Sequence, residues 1–106
     1  MDKVCVLQEV KNYLKQFKQE CKDSLGYDYA YYIGRLRACE FLIERIEFYQ
    51  YNRVANINYL CGEMRNIERR AKNEVVRLWY SNPRNEYYWC LISLTRYVLM
   101  EVERYA

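Results

Sequence analysis

The sequence predicts an all-α domain of four helices, packed as a bundle or as two stacked helical hairpins. Three observations carry that expectation. Apolar residues recur at steps of three and four along almost the whole chain, the period at which side chains return to one face of a helix. Breakers are scarce, with three glycines and one proline, so turns are few and elements long. A chain of 106 residues supplies one core and has no room for a second.

The first helix is expected over about residues 3 to 25, capped by Asp2, with Val6, Val10, Tyr13, Leu14, Phe17, Cys21 and Leu25 turned inward. Lys11, Lys15, Lys18 and Lys22 fall together on its wet side. Gly26 is placed to close the helix in the left-handed conformation. Asp28 is the natural cap of a second helix, over about 28 to 50, which would bury Tyr29, Tyr32, Ile33, Leu36, Cys39, Leu42, Ile43, Ile46 and Tyr49. Arg37, Glu40, Glu44, Arg45 and Glu47 cover most of its opposite side. Gly34 and Ala38 lie four apart on one flank, a spacing that either lets another helix approach or is simply tolerated.

The third helix is expected over about 53 to 80. Its seam, Ile57, Leu60, Met64, Ile67, Ala71 and Leu78, repeats at three, four, three, four and seven. Asn56, Tyr59, Glu63, Asn66, Arg70, Asn73 and Arg77 run along the other side. Neither glycine nor proline separates it from the second helix, so Asn52 marks a turn or the two continue as one rod of roughly 75 Å at 1.5 Å per residue. A rod could not bury its own seam in one small domain, and a turn is therefore preferred. Pro83 ends the third helix and suits the first position of the fourth, over about 83 to 105, with Asn82 as cap. The apolar residues of the fourth, Tyr87, Tyr88, Leu91, Ile92, Leu94, Val98, Leu99 and Val102, spread over more than one face and ask for two neighbours or a second subunit. At an offset of 56, Tyr31-Tyr32 aligns with Tyr87-Tyr88 and Phe41-Leu42-Ile43 with Tyr97-Val98-Leu99, which would make two related hairpins.

Composition narrows the chemistry. No run approaches the ~18 uninterrupted apolar residues of a membrane span, and no signal peptide is read at Met1-Asp2-Lys3. A cytoplasmic location is therefore expected. Five cysteines, Cys5, Cys21, Cys39, Cys61 and Cys90, are odd in number and lie mostly on apolar faces, as reduced core thiols would. Histidine is absent, which removes the usual proton-transfer group and the commonest zinc ligand. The glycines are isolated singles, so no phosphate loop is present. Glu40 with Glu44, and Glu44 with Glu47, lack a third acidic partner or a histidine and read as solvated surface charges. No catalytic residue, metal or cofactor is assigned.

Two surfaces remain. Residues 53 to 84 hold seven basic and three acidic side chains, against eight and eight in residues 1 to 52. Arg65, Arg69, Arg70, Lys72, Arg77 and Arg84 form a basic stripe that suits a protein partner or nucleic acid, or else is a solvated face paired with Glu63, Glu68 and Glu74. Thirteen tyrosines exceed what a core needs. Tyr27, Tyr29, Tyr31 and Tyr32 surround the first turn, and Trp79, Tyr80, Tyr87, Tyr88 and Trp89 the last. In an up-and-down arrangement both turns lie at one end, where these rings would form a hydrophobic plug or a recognition surface. Tyr31 and Tyr87 are expected to matter more for binding than for stability.

No motif is long or specific enough to name a family. The style of the chain resembles that of phage and mobile-element proteins, inhibitors of bacterial defence systems among them. The expected function is non-catalytic: a small cytoplasmic regulator or inhibitor that binds a larger protein, as a homodimer. Nucleic-acid or nucleotide binding through the third helix is the alternative.

Overall fold

The computed structural model describes residues 3 to 52 and 56 to 104. Four helices occupy them: α1 (Lys3–Asp23), α2 (Tyr29–Tyr51), α3 (Ile57–Glu74) and α4 (Pro83–Arg104). The proposed cap Asp2 and the end of the fourth helix at 105 lie outside the described residues. No described helix is long and apolar enough to cross a membrane.

Side-chain pairs give the topology. Lys18 meets Glu40 at 3.7 Å and Lys11 meets Gln50 at 2.7 Å, so α1 and α2 form an antiparallel hairpin. Arg84 meets Glu74 at 2.6 Å, and Arg65 pairs with Glu103, which makes α3 and α4 a second one. The hairpins stack through α2 and α4, which run side by side in one direction: Gly34 lies against the backbone of Pro83 and Tyr87, and the Cys90 thiol points at the Arg35 carbonyl, 3.9 Å away. At the diagonals, Tyr13 of α1 lies 4.3 Å from Tyr97 of α4, ring to ring, and Arg45 and Tyr49 of α2 reach Glu63 of α3. The result is an up-down-up-down bundle flattened onto its α2–α4 layer, 41 × 29 × 21 Å.

The core follows the heptad positions. Val10, Leu14, Leu42, Ile46, Leu60, Met64 and Val98 are sealed from solvent, and each aliphatic side chain so buried is worth about 1.5–3 kcal/mol. Cys21, Cys39, Cys61 and Cys90 are buried free thiols, while Cys5 is exposed. Hydrogen bonding to Cys90, together with burial, pushes the Cys39 thiol far above its ordinary range. The wide apolar surface of α4 is satisfied within the chain, against α2 on one side, α3 on the other and α1 behind. Gly34 and Ala38 mark the close approach: Ala38 is fully buried, and the first turn of α4 fills the space a side chain at Gly34 would need.

Tyr13 and Tyr29, expected to turn inward, are exposed, and four further expectations need correction. Gly26 has no positive φ; the first turn is instead held by hydrogen bonds from the Ser24 and Tyr27 amides to the carbonyls of Cys21 and Ser24. Lys11 is not on the wet side. It falls between Leu7 and Leu14 on one helical stripe and is only 3% exposed, its ammonium donating to Gln50 and to the Tyr51 hydroxyl at 3.2 Å. Asn52 closes α2 rather than opening α3, whose cap is Asn56, accepting from the Asn58 and Tyr59 amides.

The fourth correction concerns the site directly. α3 stops at Glu74, six residues before the expected Tyr80, because Asn85 of α4 takes its next peptide: the Val76 amide donates to Asn85 Oδ1 and Asn85 Nδ2 donates to the Val76 carbonyl, both at 2.8 Å. Val75 turns extended, at φ −72° and ψ 141°. Leu78 therefore leaves the seam and is exposed, and Arg77, Trp79 and Tyr80 stand on a connecting loop.

Candidate recognition surface

Asp28 builds the aromatic end. Its carboxylate accepts from the Tyr31 amide at 3.2 Å, capping α2, and its second oxygen accepts from Ser81 at 3.4 Å. The first and last turns are thereby tied together at one end of the bundle. The nine aromatic residues expected there divide by role. Tyr27 and Trp79 are almost fully open, at 89% and 94%, and Tyr29 and Tyr80 are more than half exposed. Trp79 and Tyr80 meet edge to face at 5.2 Å. Trp89 is exposed further along α4.

Tyr31, Tyr32, Tyr87 and Tyr88 are half-buried. Tyr31 packs edge-on to Tyr32 at 4.9 Å and carries the Arg35 guanidinium 4.2 Å above its ring. Tyr88 lies 5.1 Å beneath Arg84. Tyr87 packs against the core, and burial, with Tyr88 adding to it, pushes its hydroxyl above the ordinary tyrosine value. Substitution at Tyr31 or Tyr87 therefore removes packing, whereas Tyr27 and Trp79 contribute little of it.

The basic stripe divides too. Arg65 pairs with Glu103, Lys72 with Glu68 at 2.9 Å and Arg84 with Glu74 at 2.6 Å. The Lys72 hydrogen bond, helped by Arg96 at 3.2 Å, holds the Glu68 carboxyl below the usual carboxylate value despite some burial. Arg69 donates to Asn66 at 2.9 Å. Arg70 and Arg77 are exposed and have no ion pair among the described residues. Four of the six stripe residues thus fasten α3 to itself or to its neighbours, and Arg70 and Arg77 face solvent without an ion pair among the described residues.

Beside the aromatic end, α2 and α3 part to leave a groove of about 350 Å³. Phe41 of α2 and Ile67, Arg70, Ala71, Asn73 and Glu74 of α3 form its walls, and Tyr87, Tyr88 and Leu91 of α4 its floor. A second pocket, which shares Tyr87 with it, is lined by Arg37, Asn82, Pro83 and Arg84. One turn beyond Phe41 and Ile67, Arg45 grips Glu63 with two guanidinium nitrogens and Tyr49 donates to the same carboxylate at 2.7 Å. Burial raises the Glu63 pKa, but the hydrogen bonds from Arg45 and Tyr49 outweigh it and leave the carboxyl below its usual value. Burial and the Glu63 carboxylate push the Tyr49 hydroxyl up.

The sequence reading gave Arg37 and Phe41 no role in a site; Arg37, placed on the solvated side of α2, is indeed exposed, and Phe41 is half-buried. The signal was present: Arg37, Phe41 and Arg45 recur every four residues, as do Glu63, Ile67, Arg70 and Glu74 at four, three and four. Which two faces oppose each other is a tertiary fact. Glu40 pairs loosely with Lys18, and Glu44 is exposed nearby. Among the described residues no three potential ligands are disposed to hold a metal. Comparison of the chain with protein-family models, with curated proteins and with solved structures finds no match.

Proposed function

We propose that this chain is a non-catalytic binding protein, a small regulator or inhibitor that occupies a surface on a larger protein, of the kind phage and mobile elements direct against host defence components. The observation that carries this reading is the pair of almost bare rings at one end, Tyr27 and Trp79, with Tyr29 and Tyr80 beside them. Large aromatic side chains left in water gain most from being covered, and they lose little conformational freedom when that happens. Their place on two turns tied by Asp28 and Ser81 gives them a fixed base.

A photo-crosslinking residue introduced at Trp79, with a control at the exposed Ser93, tests the reading in the cells that produce the chain. A discrete protein adduct from position 79 and none from 93 is the expected result. Adducts with nucleic acid, or none above the control, would count against it. Nucleic-acid binding also predicts affinity that falls steeply with salt, a weaker prospect now that Arg65, Lys72 and Arg84 are held by carboxylates. Homodimer formation is the accompanying expectation, read as a mass near twice 13.1 kDa in light scattering.

A further inference from the structure

We infer that the groove between α2 and α3 is a docking site for an acidic segment of a partner protein, one that carries a bulky apolar anchor. The inference rests on the reading of the chain as a protein-binding molecule and names the chemistry of what it binds.

The argument begins with register. α2 and α3 run antiparallel, and pairing Arg45 with Glu63 sets the steps that follow. One turn outward Phe41 stands over against Ile67, and one further turn brings Arg37 to the level of Arg70. The walls thus change from opposite charges, through an apolar pair, to like charges. Arg45 and Glu63 join the helices at one end; at the other, Arg70 lines the cleft and Arg37 lines the pocket that adjoins it at Tyr87. Glu74 does not relieve them, since its carboxylate is taken by Arg84 at 2.6 Å. Arg37 and Arg70 are exposed and have no carboxylate among the described residues.

Between them the floor is apolar, formed by Tyr87 and Leu91. A cleft of about 350 Å³ admits one large side chain, and the arginines at its rim complement carboxylates on either side of that anchor. Complementary charge selects the partner and excludes basic competitors, while the buried anchor supplies affinity.

The test is selection of a random fifteen-residue peptide library, displayed on phage, against the immobilised full chain, followed by fluorescence-anisotropy titration of enriched peptides. Acidic peptides with a central aromatic residue or leucine are expected. Their affinity should fall at least tenfold on the Arg37→Glu, Arg70→Glu double variant, and selection on that variant should enrich basic peptides instead. Both positions are exposed, so the variant should melt within a few degrees of the parent; if it does not, Arg37→Gln with Arg70→Gln carries the affinity measurement. No enrichment, enrichment without acidic bias, or unchanged affinity on the double variant overturns the inference. So does a labelled twenty-nucleotide single strand that displaces the peptides and is lost in the variant, which assigns the groove to phosphate. A dimeric mass that the variant makes monomeric assigns it to a second copy and overturns it as well. Crosslinking from position 79 can fail while groove selection succeeds, and the reverse, so the two readings fail separately.

Discussion

At the residue scale, single atoms decide two properties. A Cβ at Gly34 would lie 2.8 Å from the Tyr87 amide nitrogen and 2.9 Å from Glu86 Cβ, and closer still to the Pro83 carbonyl. Two of those three are backbone atoms that no rotamer change can move. Gly34→Ala, ordinarily favourable within a helix, should here lower stability by about 1–3 kcal/mol through overpacking, as a thermal melt would show. Glu63 supplies the second case. Its folded pKa is depressed below the ordinary value of 4.5, so its contribution is complete above that value and is lost as pH falls through the lower folded one. Glu63→Gln should therefore cost about 1–2 kcal/mol at pH 7, and the gap between the two melting temperatures should narrow toward pH 3. A gap independent of pH would show that the carboxylate's charge plays no part.

At the scale of elements, the end of α3 is set by its neighbour. Periodicity carries the seam on to Leu78, yet Asn85, 7% exposed, binds the Val76 peptide through both ends of its amide. Its own amide is satisfied by Asn82 at 3.1 Å. Asn85→Ala should cost about 2 kcal/mol, the loss of two part-buried hydrogen bonds that hold the Val76 backbone. Limited proteolysis should then cut between 75 and 82 faster than in the parent, with Trp79 fluorescence shifting as the loop changes. Unchanged cleavage would mean that the loop is held by other contacts. Thr95 shows a milder device: its hydroxyl returns to the Leu91 carbonyl at 2.7 Å, which lets a polar side chain sit in the core of α4.

At the scale of the whole molecule, the stacking of two hairpins through α2 and α4 makes the bundle one cooperative unit. A single melting transition is expected. The ion pairs that link α3 to α4 join side chains that are largely exposed at Arg65, Arg84 and Arg96, and such pairs contribute little and are screened. Raising salt from about 50 mM to about 500 mM should move the midpoint by no more than about 3 °C. A larger fall would mean that these pairs act as a network.

Much of this molecule is legible along the chain, because helix period, caps and breakers are local. The spacing of Ile57, Leu60, Met64, Ile67 and Ala71 alone sets one face of α3, Asp28 alone can cap α2, and Pro83 alone can begin α4. The aromatic end was legible for the same reason, since each of its two turns is reached after an odd number of helices. Other features needed the third dimension, because they depend on which faces meet. Lys11 reads as wet until Gln50 and Tyr51 are seen to receive it, and Tyr87 reads both as an apolar position of α4 and as one of the rings at the aromatic end until it is found against the core. The groove belongs wholly to the tertiary structure: Phe41 and Ile67, which both line it, are 26 residues apart in the sequence, and only the packing of the helices brings them to one cleft. Periodicity determines what a helix hides, and packing decides what it faces.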